Sequence, residues 1–185
     1  MGLKVHKSEL NSSTIQSLLE NEANDAAALI TAINNFVNDT SQSLQGEAYD
    51  AARSEMIAYA QILERRVSAA SELASAVANS TSSLSSYMGS YDYLDDSDIP
   101  ILKHEIANMQ ATCESMIQSY KQRSFFQRIF FSEAKIRREY AAKIAPIQDE
   151  VNKLEGLAGA DSTAYGLLNA ATSSVEAYRT SVTSK

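Results

Sequence analysis

Apolar residues recur at three- and four-residue steps through most of this chain, and the places where that rhythm stops divide it into helices. Ile15, Leu18, Leu19, Ala23, Ala26, Ile30, Ile33 and Val37 predict one amphipathic helix within residues 9–38. Ala48, Ala52, Met56, Tyr59, Leu63, Val67, Ala70, Leu73, Val77, Leu84 and Met88 predict a second over residues 47–88. At 1.5 Å per residue these would be about 45 Å and about 63 Å long. Between them Asn38, Asp39, Thr40 and Ser41 withdraw helix propensity, and Gly46 can take the positive φ of a tight reversal. Glu47 and Asp50 then fall in the first turn of the second helix, where carboxylates favour the positive end of its dipole. The expected structure is an antiparallel hairpin over residues 1–90, turning at Leu44-Gln45-Gly46.

The rhythm lapses from Gly89 to Asp98, so residues 91–98 read as a linker, with Asp98 capping a third helix and Pro100 in its first turn. A second helical region follows over residues 99–185. Leu102, Ile106, Met109, Cys113, Met116 and Tyr120 mark one helix of it, and Ile136, Tyr140, Ile144, Ile147, Val151 and Leu154 another. Pro146 predicts a kink. Gly156, Gly159 and Asp161 predict the end of that helix, with Ser162 opening a last one that bears Leu167, Leu168, Ala171, Val175, Tyr178 and Val182. No Gly or Pro separates Ile101 from Ala145, so a turn near Ser124 or Ser132 and one continuous long helix are both open. The fold class is all-α: an elongated hairpin, then two or three more helices.

Composition agrees with this reading. Among 185 residues there are 6 Gly, 2 Pro and no Trp, so the chain has few places to turn, and strand-like alternation is absent. Many core positions are Ala, which lets helices approach closely but buries little area per residue. The net charge of −7 is uneven: seven Lys and Arg against Glu133 and Glu139 give residues 121–143 a balance of +5, so the rest carries −12. General nucleic-acid binding is not expected of such a chain, whereas an oriented protein contact is. The N-terminus lacks the apolar core of a signal peptide, and no run approaches the roughly 18 apolar residues of a membrane-spanning helix.

Little suggests chemistry. The single cysteine, Cys113, cannot form an intramolecular disulfide, and His6 and His104 have no zinc-ligand spacing. Asp92, Asp95, Asp96 and Asp98 lack the central glycine and distal glutamate of a calcium loop and read as solvated residues at a helix entry. No phosphate-cradling loop, nucleophile elbow or acid/base pair is visible, so neither an enzyme nor a cofactor or metal site is expected. The one concentrated apolar feature is Ser124 to Phe131, with Phe125, Phe126, Ile129 and Phe130 on one helical face and Arg123 and Arg128 at its border. It reads as the packed tip of a helix pair or as a docking patch for a protein. Membrane insertion is not expected of so short a run.

An apolar residue, a spacer and a glycine between two long helices resemble the LXG family of bacterial toxin-targeting domains. The resemblance takes in the opening from Met1 to Leu10 and the stretch from Leu44 to Ala52. It implies an N-terminal targeting domain of a type VII secreted toxin of Gram-positive bacteria, with an effector domain beyond Lys185. It also implies small helical WXG-like adaptors and the secretion machinery as partners, and a protein cytoplasmic before export, then secreted or at the cell surface without a cleaved signal. Tyr91 with Asp95 formally resembles the Tyr-x-x-x-acidic export signal, although carboxylates crowd this segment. No Phe is followed by Asp four residues on, as in the signal of small adaptors, so an adaptor would supply that signal in trans. Leu44 and Gly46 are the motif residues, and Ile15, Leu18, Leu19, Ile33, Leu63, Val67, Leu73 and Val77 are candidates for the adaptor seam. Periodicity does not tell an intramolecular seam from an intermolecular one. A pore-forming protein acting through the Phe cluster, and a structural coiled-coil protein, are the rival readings.

Overall fold

The computed structural model describes residues 2–39, 45–122 and 132–184. Its elements follow as β1 (Lys4–His6), a 3-10 turn, α1 (Ser13–Val37), α2 (Glu47–Met88), β2 (Tyr93–Asp95), a second 3-10 turn (Asp96–Asp98), α3 (Ile99–Lys121), α4 (Glu133–Ala170) and α5 (Thr172–Thr183). The fold is all-α, with one two-stranded sheet that the sequence pattern did not predict. Two compact units form, one from Met1–Lys7 with Ser90–Ala160 and one from Ser8–Gly89 with Asp161–Lys185. This differs from the division into residues 1–90, 91–98 and 99–185, because the first strand joins the later segment and the last helix joins the hairpin.

In the hairpin unit α1 and α2 pack through Ala26, Ile33, Ala60 and Leu63, with Ile30, Val37 and Val67 against them. The Glu22–Arg66 ion pair at one end and the Arg53–Val37 hydrogen bond at the other run in opposite chain directions, so the helices are antiparallel. Gly46, at φ 121°, precedes α2, and Gly89, at φ 61°, follows it; both conformations favour glycine. α2 is the middle helix. Its opposite side, carrying Ala58, Gln61, Ile62, Arg65 and Ser68, faces α5 at Ser174, Ala177, Ser181 and Ser184, and the Ser174 hydroxyl bonds Glu72. Buried Ala69 and Ala76 belong to the same helical side by their spacing. These small residues let the helices approach closely, and a search for large apolar side chains passes over them.

In the other unit α3 and α4 are antiparallel, with Lys103–Glu155 at 2.7 Å, Arg137–Glu114 at 2.7 Å and Lys121–Glu133 at 3.8 Å. The segment between Ile101 and Ala145 is therefore a helix pair, not one continuous helix. Cys113, Ile117 and Ile136 form its core, flanked by Tyr120 and Tyr140. Ile117 is fully buried where the pattern favoured Met116, whose side chain is exposed. α4 contains Pro146 and runs past Gly156, Gly159 and Ser162 to Ala170, so the predicted break is absent. An interior glycine costs about 1 kcal/mol, and Leu154, Leu157 and Ala164 are buried along the same helix. The break falls at Ala171 instead. There the Ala171 N–H donates to Leu168 C=O and the Thr172 hydroxyl to Asn169 C=O, local bonds that compete with helix continuation.

Residues 91–98 are not a linker. β2 pairs antiparallel with β1, matching Lys4 with Asp95, Val5 with Leu94 and His6 with Tyr93. The pairs alternate as a pleat requires: Val5 and Leu94 are buried, while the His6 and Tyr93 rings meet at 4.4 Å. Strands of three residues are too short for alternation to declare them in the sequence.

Candidate functional site

The hairpin is built from its turn end upward. The last carbonyls of a helix have no partner within it. On α1 they are taken by side chains from α2: the Tyr49 hydroxyl donates to Phe36 C=O at 2.9 Å, and the Arg53 guanidinium donates to Val37 C=O. The Phe36 and Tyr49 rings meet edge-on at 5.1 Å, and Arg53 lies 5.5 Å from the Tyr49 ring centre. A cation against a helix C-terminus also opposes the negative end of its dipole. Tyr49 and Arg53 stand in the first two turns of α2, where a returning helix meets the end of the first, and apolar periodicity does not single them out. Leu44 lies outside the described residues, as do Phe125, Phe126, Ile129 and Phe130. Gly46 is exposed.

The eight seam candidates divide. Ile33 and Leu63 are buried in the intramolecular core and Val67 packs against it, so these three hold α1 to α2, with Ile33 also reaching the floor of a groove beside the seam. Leu19, Leu73 and Val77 are half-buried. Ile15 is 52% exposed and Leu18 64% exposed, which leaves them as open apolar positions at the start of α1. Leu29, Met56 and Tyr59, which are not among the seam candidates, are exposed as well. With Ile33 and Glu55, these three line a groove of about 500 Å³ along one flank of the α1–α2 seam.

The segment read as solvated carboxylates holds a second constellation. Asp95 is only 5% exposed; it pairs with Lys4 at 2.6 Å and accepts from the Tyr93 hydroxyl at 2.7 Å and from the Ser97 N–H at 2.9 Å. The Lys4 hydrogen bond, then those of Ser97 and Tyr93, hold its carboxyl well below the usual carboxylate range. The same contacts raise Lys4, first through the hydrogen bond to Asp95, and raise the Tyr93 phenol. Asp96 accepts the Leu3 N–H at 2.9 Å and donates its own N–H to Leu3 C=O at 3.1 Å. Asp95 is a structural hub, and its spacing from Tyr91 coincides with a buried strand position. Asp98 precedes α3 as expected, yet the side chain that caps here is Asp95, on the 3-10 turn.

Among the described residues no group of three or more His, Cys, Asp or Glu is placed to hold a metal ion, and no helix is long and apolar enough to cross a membrane. Comparison with protein families, curated proteins and solved structures finds no match.

Proposed function

We propose that this chain is an LXG-type targeting domain whose hairpin recruits small helical adaptors for type VII export of a toxin. The observation that carries the reading is the antiparallel α1–α2 hairpin, which has Gly46 at positive φ ahead of α2 and leaves Ile15 and Leu18 open beside a filled seam. Apolar side chains in this position suit a helix-on-helix contact, in which a partner's apolar face covers them. Binding to the folded hairpin would stabilise it by mass action. The Ala-rich α2 contributes little side-chain volume of its own to resist unfolding.

Co-expression with whatever small helical proteins the neighbouring genes encode tests the reading. A stoichiometric complex is expected, weakened at least tenfold by Ile15→Asp with Leu18→Asp, because charges there would lose their water on binding. Both positions are exposed, so circular dichroism of the double variant should remain parental. Failure of the native chain to bind any of these proteins overturns the proposal.

A further inference from the structure

On α1, Leu18, Glu22, Asp25 and Leu29 follow one another at steps of four, three and four and therefore share one stripe; on α2, Glu55, Tyr59 and Arg66, at steps of four and seven, share another. The Glu22–Arg66 ion pair and the groove between Leu29 and Tyr59 place these two stripes on the same flank of the hairpin. This flank combines an open apolar floor with an acidic border. Its one Arg is already engaged by Glu22, and α1 from Ser13 to Val37 contains Glu20, Glu22 and Asp25 but neither Lys nor Arg.

We propose that the Leu29–Ile33–Met56–Tyr59 groove docks an amphipathic helix of a partner protein whose apolar stripe is bordered by lysine or arginine. The inference rests on the reading that the hairpin engages helical partners, and it adds where and with what charge. Apolar residues of the incoming helix cover Leu29, Met56 and Tyr59, and its cations meet Asp25 and Glu55. Charge of this kind sets partner choice and encounter rate more than affinity. A second copy of this chain would bring the same carboxylates against one another, which disfavours self-association through this face.

Two synthetic helical peptides with the same leucine stripe, one bordered by Lys and one by Glu, serve as probes for the full chain in fluorescence anisotropy. The Lys-bordered peptide should bind about fivefold or more tightly at about 0.05 M salt, with the difference shrinking at about 0.5 M. Asp25→Lys with Glu55→Lys should reverse the preference, Asp25→Lys alone should reduce it, and Leu29→Ser with Tyr59→Ser should weaken both peptides. Circular dichroism checks that each variant stays folded. Equal affinities, no binding, or a preference unmoved by the reversal would overturn the inference, as would a dimer in sedimentation that Leu29→Ser dissolves. Adaptors that bind the charge-reversed chain as tightly as the native one would sink this inference and leave the targeting reading standing. Peptide binding with no adaptor binding would do the opposite.

Discussion

Asp95 has three other carboxylates within three positions of it, yet only Asp95 is drawn under a strand and given Lys4, Tyr93 and Ser97 as partners. Its lowered carboxyl pKa makes folding sensitive to acid: the stabilisation is complete above the ordinary aspartate value of about 4 and is lost progressively as pH falls below it. Lys4 and Tyr93 are raised, so their stabilisation is present below about pH 10 and is lost as pH rises through their folded values. Urea midpoints should therefore be flat between these limits and fall on either side, and Asp95→Asn should flatten the acid limb. Gly2 permits the same cluster. A Cβ there would stand 2.5 Å from Asp96 Oδ1, so Gly2→Ala should displace the carboxylate from the Leu3 N–H at a cost of about 1 kcal/mol, visible as faster hydrogen exchange at Leu3.

At the scale of elements, the filled seam and the open flank of the hairpin make opposite predictions. Leu63→Ala, in the seam, should cost about 2–4 kcal/mol in urea melts, whereas Leu18→Ala, on the surface, should stay within about 0.5 kcal/mol. Tyr49→Phe keeps the ring and removes the bond to Phe36 C=O, which should cost about 1 kcal/mol. α1, α2 and the helical character of the segments forming α3 and α4 were legible in the sequence because apolar residues recur there with the helical period, whereas the separation of α3 from α4 was left open for want of a Gly or Pro between Ile101 and Ala145. The contact of α5 with α2 was not, since it uses Ala58, Ser68, Ala177 and Ser181, residues as common on surfaces as in tight helix contacts. Gly156 and Gly159 misled for a related reason: glycine lowers helix propensity locally, and burial of Leu154 and Leu157 outweighs it. Of the site candidates, periodicity identified apolar helical positions correctly but could not assign them to the seam or the surface. Ile33 and Ile15 carry the same residue at the same helical phase, and only the placement of α2 separates them.

For the whole molecule, neither unit is continuous in sequence: the unit containing the hairpin begins at Ser8 and is completed only by Asp161–Lys185. Deleting residues 172–185 should therefore lower the urea midpoint of the hairpin by uncovering the Ala58, Arg65 and Ser68 side of α2, although it removes nothing from α1 or its seam. The pairing of β1 with β2 has a kinetic consequence. Leu3 and Asp96 are 93 positions apart, and closing a loop of that size costs about 4 kcal/mol of chain entropy before six paired residues repay any of it. Contacts between α1 and α2 span far less chain and form first, which shortens the effective loop. The N-terminal strand therefore locks after the α1–α2 hairpin, so a chain pulled from its first residue should surrender the strand pair while the hairpin behind it is still folded.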